Sequence, residues 1–263
     1  MMSLFSTVIV RPPSDSLTRC VSTNPLRHSV DPGAAARQHR DYVNVLREHG
    51  IEVLYLDPKP GLPDSVFVQD TAVVGAKSRT AVIARFGEAS RRGEEKDVKL
   101  LLQGMGYQIS EIVEPGTLEG GDVLVTDFGV IFVGLSKRTN SAGIEQFSQI
   151  FKNIEIVGVP VKRALHLLSA VSYLGNRTFA IVPEYVDASY FEGYKLIRVP
   201  FDEAYAANML YLGDRYVVMP AGYPKTAEKL RREGYRPIEV DVSEFWKCDG
   251  GVTCLSLPLY NVL

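Results

Sequence analysis

The sequence predicts an α/β fold, built as a five-bladed propeller of ββαβ units whose termini close the ring. Three observations lead to this prediction. The order strand, strand, helix, strand recurs along the chain, the strands are rich in β-branched residues, and glycines stand where helices commonly end. Each unit alone leaves an apolar strand face uncovered, so neighbouring units must pack together. An ordinary α/β sandwich is the alternative, and in either case we expect a single domain over residues 1–263.

Four units follow one another in the middle of the chain. Their strand, strand, helix and strand segments lie near 66–74, 80–85, 91–105 and 107–113; 122–126, 130–135, 140–151 and 154–159; 164–173, 177–182, 187–191 and 195–199; 208–212, 215–219, 225–233 and 236–240. Gly104 and Gly106 close the first of these helices, and Thr139 or Asn140 is a plausible cap for the second.

The fifth unit is split between the two ends of the chain. Residues 252–257 supply its first strand and residues 7–10 its second, followed by a helix near 34–49 and a strand over 51–56. Gly50 stands directly after that helix, where a C-terminal glycine is common. Pairing the first and last segments closes the ring and protects sheet edges.

Composition and charge exclude several functional classes. The chain has 263 residues, 46% of them hydrophobic, and can bury a large core. A net charge of −2 gives no electrostatic support for nucleic-acid binding, and short basic runs such as Arg91-Arg92 are expected to be solvated. No apolar stretch approaches the roughly 18–20 residues that cross a bilayer, so no membrane contact is expected. The first residues resemble a strand more than a signal peptide.

The cysteines predict a compartment. Cys20, Cys248 and Cys254 are an odd and low number, which argues against a disulfide framework and favours a reducing, cytoplasmic location. No CxxC or His/Cys cluster has the spacing of a zinc site, so no metal is expected.

Residues capable of chemistry recur where successive units open. In chain order they are Asp64 and Asp70, Glu119, His166, Asn208, and Cys254. Equivalent openings in a ring of like units face one axis, so these side chains are expected to converge. A thiol, an imidazole and several carboxylates would then share one site.

Each of these residues also has a structural interpretation. A lone cysteine such as Cys254 is usually inert packing, although Gly250-Gly251 upstream would let a ligand approach the backbone. His166 follows an apolar strand pattern, in which a core histidine is more common than a catalyst. The run Glu119–Asp122 could be turn chemistry alone, or its two glycines could let a ligand lie against bare backbone.

Seven stretches together resemble the dimethylarginine dimethylaminohydrolases, a family of the guanidino-group-modifying (pentein) superfamily. They cover residues 62–70, 88–94, 119–124, 133–140, 165–167, 219–224 and 249–256. The resemblance extends from about residue 7 to about residue 257. It implies a five-bladed α/β propeller, in agreement with the repeat count, and hydrolysis of dimethylarginine to citrulline and dimethylamine.

The resemblance further implies the catalytic residues. Cys254 matches the nucleophile, which forms a covalent thiouronium intermediate, His166 the general acid and base, and Glu119 the acid that holds the guanidinium. These roles are physically coherent, because carboxylates can fix the plane of a guanidinium and a thiolate is nucleophilic enough to attack its carbon. No metal or organic cofactor is required.

The resemblance also implies the residues that bind the substrate. They are Asp70 on the guanidinium nitrogens, Asp64 on the α-amino group, Arg85 and Arg138 on the carboxylate, Val21 and Cys248 through main-chain carbonyls, and a mobile lid near 21–28. Gln69 stands where the family usually has a glutamate, which leaves the exact substrate open.

Other functions stay open beside this one. An arginine deiminase or a citrulline hydrolase could use the same scaffold, as could a non-enzymatic arginine-binding protein or a structural propeller module. The set Cys254, His166 and Glu119 argues against the last two, which need no nucleophile. The expected partner is a small arginine derivative, and a homodimer is left open as the assembly.

Overall fold

Three-stranded units recur five times in the computed structural model, which describes residues 3–263. The strands are β1 (Phe5–Val10), β2 (Glu52–Tyr55), β3 (Ala72–Gly75), β4 (Thr80–Ile83), β5 (Gln108–Glu111), β6 (Val123–Val125), β7 (Val130–Leu135), β8 (Glu155–Pro160), β9 (Val171–Tyr173), β10 (Thr178–Ile181), β11 (Lys195–Arg198), β12 (Leu210–Gly213), β13 (Tyr216–Pro220), β14 (Arg236–Val240) and β15 (Leu257–Tyr260). The helices are α1 (Pro32–Glu48), α2 (Lys96–Gly104), α3 (Ser141–Ile150), α4 (Pro224–Arg232) and α5 (Ser243–Trp246). The predicted α/β class is confirmed.

Every unit has the same pairing pattern. Its middle strand is antiparallel to the first strand and parallel to the third, as in β3-β4-β5, β6-β7-β8, β9-β10-β11 and β12-β13-β14. The predicted split unit is present as β15-β1-β2, with Phe5 opposite Tyr260 and Ile9 opposite Leu257. Parallel pairing of β15 with β3 joins two units into one six-stranded sheet.

The helices follow local signals in the sequence. Asp31 caps α1 by accepting hydrogen bonds from the N–H groups of Gly33 and Ala34, and Gly50 beyond its end has φ +75°. Asn140 caps α3, as predicted. The helix predicted from residue 91 begins later, at Lys96, after a separate 3₁₀ turn. Within residues 3–263 no helix has the length and apolar character needed to cross a membrane.

The first strand of each unit is shorter than predicted, because a 3₁₀ turn precedes it. These turns are Val68–Thr71, Gly120–Asp122, Leu167–Ser169, Phe201–Ala207 and Thr253–Leu255. The strands predicted from residues 66, 122, 164 and 208 begin later, at residues 72, 123, 171 and 210. The strand predicted over 252–257 was wrong, because β15 covers Leu257–Tyr260. Side-chain oxygens accept several N–H groups of these turns, which replaces the hydrogen bonding of a strand ladder.

Hydrogen bonds link these five turns in sequence. They run from Gly121 N to Asp70 Oδ1 (3.0 Å), from Leu167 N to Asp122 Oδ1 (2.9 Å), from Asn208 Nδ2 to Leu168 O (3.0 Å) and from Thr253 N to Asn208 Oδ1 (2.8 Å). The last turn, Thr253–Leu255, also contacts the first, Val68–Thr71, so the five turns form a closed series. Asn208 therefore joins two units, and the structure gives it a packing role.

Cys20 and Cys248 form a disulfide, with their Cα atoms 5.8 Å apart. The argument against disulfide bonding from the cysteine count was therefore wrong, and Cys254 is the remaining free cysteine. The two partners lie 228 positions apart, and nothing in the sequence around either one indicates the pair. The cysteine count consequently gives no support for a reducing compartment, and the cytoplasmic location stays a prediction.

We expect loss of this disulfide to lower the free energy of unfolding. The chain-entropy model gives about 5.5 kcal/mol for a cross-link over so long a stretch, and native disulfides contribute up to about that amount. The measurement is guanidinium chloride unfolding of the wild type and of Cys20→Ser, each with and without reductant. Reductant should move the wild-type midpoint toward that of the variant and leave the variant unchanged. Equal midpoints for oxidised and reduced wild type would show that the cross-link adds no stability.

Candidate active site

Seven of the ten predicted site residues line one small cavity beside the series of turns. The cavity, which we call the catalytic cavity, is lined by Val21, Asp64, Phe67, Asp70, Arg91, Arg138, Leu165, His166, Cys248, Asp249, Gly250 and Cys254. Glu119 lies directly behind His166, to which it is hydrogen-bonded. Gln69 and Arg85 are not part of the lining.

Cys254 lies in the turn Thr253–Leu255 and is buried. Burial raises the pKa of its thiol to about 12, and the nearby carboxylate of Asp70 adds to the increase. The preceding Gly250 was expected to admit a ligand, but a Cβ there would collide with the ring of Phe67. The absence of a side chain at Gly250 therefore serves the packing of Phe67 beside the cavity.

His166 and Glu119 form a buried pair, with Nε2 of the ring 2.8 Å from Oε2 of the carboxylate. His166 had been predicted to lie on a strand, but in the structure it directly precedes a turn. Burial alone would lower the pKa of His166, but the charges of Asp70 and Asp122 and the bond to Glu119 raise it to about 9. Burial likewise would raise the pKa of Glu119, yet the bond to His166 lowers it to about 2. At neutral pH the pair is therefore an imidazolium and a carboxylate.

Backbone groups hold the two carboxylates nearest to His166. The N–H of Gly87 donates to Glu119 Oε1 at 3.1 Å, and the N–H of Gly121 donates to Asp70 Oδ1 at 3.0 Å. A Cβ on Gly121 would collide with both Asp70 and His166. This glycine was expected to expose backbone to a ligand, and it instead makes room for the side chains of the site.

Arg91 is a member of the site that the sequence analysis missed. It had been expected to be solvated, yet it is 4% exposed and its Nη1 lies 2.8 Å from Asp70 Oδ2. Its Nη2 donates to Glu94 at 2.8 Å. Burial opposes the charge, but Glu94 and Asp70 outweigh it and raise the pKa of Arg91 well above its usual value. The signal in the sequence was Glu94, three positions on, within the resembling stretch 88–94.

The structure does not bring Arg85 into the site. Its guanidinium donates to the carbonyl of Gly116 and to the carboxylate of Glu114, each at 3.1 Å, at the protein surface. Arg85 lies just beyond the end of β4 and is held there by a bridge to Leu118, so its side chain follows the neighbouring segment outward.

Gln69 also faces away from the catalytic cavity. It lines a separate cavity among the inner strands, together with residues such as Phe5, Tyr173 and Met209. Its Oε1 is buried and has no hydrogen-bond partner among residues 3–263. Adjacent residues in the tight turn Val68–Thr71 point in different directions, so Asp70 faces His166 and Gln69 does not.

The groups predicted to hold the α-carboxylate and the α-amino group of a substrate contact protein atoms in this structure. Arg138 Nη1 lies 3.2 Å from Glu119 Oε2. Asp64 accepts the N–H of Val21 at 3.0 and 3.2 Å. Arg138 and Arg91 therefore already pair with Glu119 and Asp70, the carboxylates that would bind the guanidinium of a substrate.

Three side chains could in principle hold a metal ion. Ligand atoms of Asp70, Glu119 and His166 lie within 4.8 Å of one another. A divalent cation there would meet the charge of Arg91, whose Nη1 is 2.8 Å from Asp70 and 3.8 Å from Glu119. The charge arrangement suits an organic monocation better than a metal.

The segment predicted as a lid lies closed over the cavity. Ser22 Oγ donates to Asp249 at 2.7 Å, and the Lys247 ammonium donates to the carbonyl of Ser29 at 2.9 Å. Part of this segment is a 3₁₀ turn, Pro25–Ser29. The mobility of the lid stays a prediction. The catalytic cavity offers only about 10 Å³ to the centre of a water molecule.

A much larger space lies outside it. This outer vestibule measures about 810 Å³ on the same scale and is lined by Val21, Ser22, Thr23, Arg27, Glu88, Lys137, Arg138, Lys162, Arg163, Ala164, Leu165 and Asp249. Five of these residues are cationic and two are acidic. A substrate would reach the catalytic cavity from a basic chamber.

Comparison with known proteins identifies the family. A family model described as N,N dimethylarginine dimethylhydrolase, eukaryotic, matches residues 23–261. The N(G),N(G)-dimethylarginine dimethylaminohydrolase of Streptomyces coelicolor is 40% identical over 254 residues, which cover 95% of this chain and 96% of the relative. The chain belongs to the dimethylarginine dimethylaminohydrolase family. It is therefore a hydrolase that acts on amidine C–N bonds, as the sequence analysis predicted.

Solved dimethylarginine dimethylaminohydrolases have the same fold. The Pseudomonas aeruginosa enzyme, as a cysteine-to-serine mutant complexed with citrulline, matches with a TM-score of 0.91 and 36% identity, over 98% of this chain and 100% of its own. A histidine-to-glycine variant in an adduct with S-methyl-L-thiocitrulline matches with a TM-score of 0.90 and 36% identity, over 97% and 99%. This family relationship confirms the resemblance drawn from the seven stretches of sequence.

Proposed function

We propose that the protein hydrolyses N-omega-methylated L-arginine, with dimethylarginine giving citrulline and dimethylamine, through a covalent bond to Cys254. The observation that carries the proposal is the buried cavity in which the Cys254 thiol meets the His166–Glu119 pair and Asp70. The relatives complexed with citrulline and joined to S-methyl-L-thiocitrulline support it, because citrulline is the product of this reaction.

The first half of the reaction makes a covalent intermediate. Glu119 and Asp70 would hold the guanidinium by charged hydrogen bonds and fix its plane. The cation would also lower the pKa of the buried thiol, which otherwise stays protonated, and the thiol proton would pass to solvent as the cation binds. The Cys254 thiolate attacks the guanidinium carbon, His166 donates its proton to the dimethylamino nitrogen, and the C–N bond breaks. Dimethylamine leaves, and a thiouronium joins the substrate to Cys254.

The second half returns the enzyme to its starting state. The neutral His166 removes a proton from a water molecule, whose oxygen attacks the thiouronium carbon. The C–S bond then breaks, and citrulline forms with the water oxygen in its ureido group. The departing Cys254 thiolate takes the second proton of that water, which restores the thiol. Glu119 keeps the His166 ring oriented in both halves through the bond of 2.8 Å.

The remaining residues position the substrate and the carboxylates. Asp64 would hold the α-amino group, Arg138 the carboxylate, and Val21 and Cys248 would offer main-chain carbonyls. Arg91 acts as a positioning residue, because its guanidinium holds Asp70 in place. Arg85 has no part in this scheme, since its side chain lies at the surface.

We also infer that the five units form a five-bladed propeller with pseudo-fivefold symmetry around the series of turns. The pairing of β15 with β1 supports this arrangement, as do the hydrogen bonds that join successive turns. On this interpretation residues 1–263 are one catalytic domain.

A turnover assay tests the proposed function. The enzyme is incubated separately with dimethylarginine, monomethylarginine, arginine and citrulline, and citrulline, ammonia and methylamines are measured. We expect citrulline and dimethylamine in equal amounts from dimethylarginine. Release of ammonia from arginine as the fastest reaction would instead identify an arginine deiminase.

Gln69→Glu should leave the order of substrates unchanged. A glutamate restored at this position would add a carboxylate outside the catalytic cavity, so preference among the four substrates should shift by less than about tenfold, or about 1.4 kcal/mol. Asp70→Asn is a matched control, because it exchanges acid and amide at the adjacent residue that does line the cavity. That variant should lose most of its kcat/KM. A wild type that prefers arginine or citrulline, reversed by Gln69→Glu, would show that Gln69 sets the substrate.

A further inference from the structure

Arg138 contacts Glu119, the carboxylate that binds the substrate guanidinium in the proposed reaction. Its Nη1 lies 3.2 Å from Glu119 Oε2 and 3.4 Å from Oε1, and Glu119 is completely buried. A guanidinium on Glu119 is the arrangement expected of a bound arginine derivative. The protein thus supplies from its own chain the group that its substrate would bring.

The volumes around Arg138 show that it also closes the site. The catalytic cavity has room for about one water molecule, whereas the outer vestibule is about eighty times larger. Arg138 lines both, together with Val21, Leu165 and Asp249. Movement of its guanidinium into the vestibule would remove one cation from Glu119, which keeps its bond to His166, and would enlarge the space in front of Cys254.

That movement is unfavourable in the absence of a substrate. It would separate the guanidinium from a buried carboxylate and bring it into a vestibule whose other cations outnumber its acids. The cations are Arg27, Lys137, Lys162 and Arg163, and the acids are Glu88 and Asp249. A carboxylate that enters the vestibule reverses the balance, because it gives Arg138 a new partner. Guanidines without a carboxylate provide no such partner.

We propose that Arg138 is an internal occupant of the guanidinium site, and that the α-carboxylate of the substrate withdraws it. When the substrate binds, Arg138 leaves Glu119 and pairs with the α-carboxylate of the substrate. The guanidinium of the substrate then takes the place of Arg138 at Glu119. This inference rests on the proposed function for the identity of the substrate. The exchange would make Arg138 a determinant of specificity against decarboxylated analogues. Such an analogue lacks the contact with Arg138, and it also cannot draw Arg138 away from Glu119 to open the site.

The exchange predicts opposite effects of one substitution on two ligands. Arg138→Ala should weaken the binding of arginine, which loses its carboxylate partner, and should strengthen the binding of agmatine, which is arginine without the carboxylate. A residue that only grips the carboxylate would leave agmatine unaffected. The increase for agmatine should reach about tenfold, because Glu119 loses the competing guanidinium and buried space opens.

Isothermal titration calorimetry in the Cys254→Ala background measures both affinities without turnover. Arg138→Met serves as a second variant that keeps the apolar stem, and thermal unfolding verifies that each protein is folded. Lys137→Ala is the matched control, since it removes a cation from the vestibule that does not contact Glu119. Its effect on agmatine should stay below about threefold, as for an exposed charge.

Two results would overturn the proposal. One is agmatine affinity that is unchanged or lower in both Arg138 variants. The other is an equal gain in Lys137→Ala, which would assign the effect to general electrostatics. Neither result bears on catalysis, because turnover by the wild type tests the proposed function separately.

Discussion

Cys254→Ala is expected to lose at least about a thousandfold in kcat while it keeps the fold. Removal of the nucleophile eliminates the covalent route, and a factor of a thousand corresponds to about 4 kcal/mol of transition-state stabilisation. The measurement is citrulline formation from dimethylarginine, with circular dichroism and unfolding as the test of structure. Since the side chain is small and Cys254 is next to the catalytic cavity, the stability cost should be modest.

The matched control for Cys254 is Cys20→Ser, which removes a different cysteine. That variant breaks the disulfide but leaves the nucleophile, so it should keep most of its kcat under conditions in which it is folded.

Because burial holds the pKa of Cys254 near 12 in the empty site, alkylation of the Cys254 thiol by iodoacetamide should be slow at pH 7. Retention of more than about a thousandth of wild-type kcat in Cys254→Ala would exclude the covalent mechanism.

His166→Asn should lower kcat by about a hundredfold to ten-thousandfold, because the departing amine loses its proton donor. In the wild type the donor is the imidazolium, which exists below a pKa of about 9. At saturating substrate, where the bound cation has already ionised Cys254, we therefore expect kcat to fall as the pH rises through the pKa of His166. The pH–rate profile between pH 6 and 10 provides the measurement, and the profile of the variant should lack this alkaline limb.

Glu119→Gln provides the control for this assignment. The amide can still contact the ring, but the negative charge that raises the pKa of His166 is lost, so the alkaline limb should move to lower pH. The raised pKa of His166 also adds stability to the fold, which is complete below about pH 6.5 and disappears as the pH rises through about 9. An alkaline limb at the same pH in Glu119→Gln would mean that another group titrates.

The repeating architecture could be predicted because its signals are local. β-branched runs gave the strands, and glycines such as Gly50 marked the ends of helices. The split unit β15-β1-β2 followed from the incomplete pattern at both ends of the chain. The turns before the inner strands were not predicted, apart from the alternative of turn chemistry at Glu119–Asp122, because they share no common sequence signal. Their shape depends on bonds from distant residues, such as the one from Thr253 to Asn208.

The site was predictable where a side chain and its neighbours matched the family, as at Cys254 and His166. Two arginines were not. The pair Arg91-Arg92 resembled a solvated run, although carboxylates far away in sequence hold Arg91 in the interior. Arg85 ends a strand, and only the fold shows that it points outward. Gln69 illustrates the same limit, because sequence does not show to which side a residue in a tight turn points.

The disulfide between Cys20 and Cys248 has a consequence for proteolysis. It encloses four complete units of the fold within one covalent circle and leaves β1 and β15 outside, as two short arms that pair with each other. A protease that cuts an exposed turn between residues 20 and 248 would open the circle without releasing a fragment. The nicked enzyme would stay one molecule, with the arm that carries Cys254 still anchored, until a reductant separated the pieces.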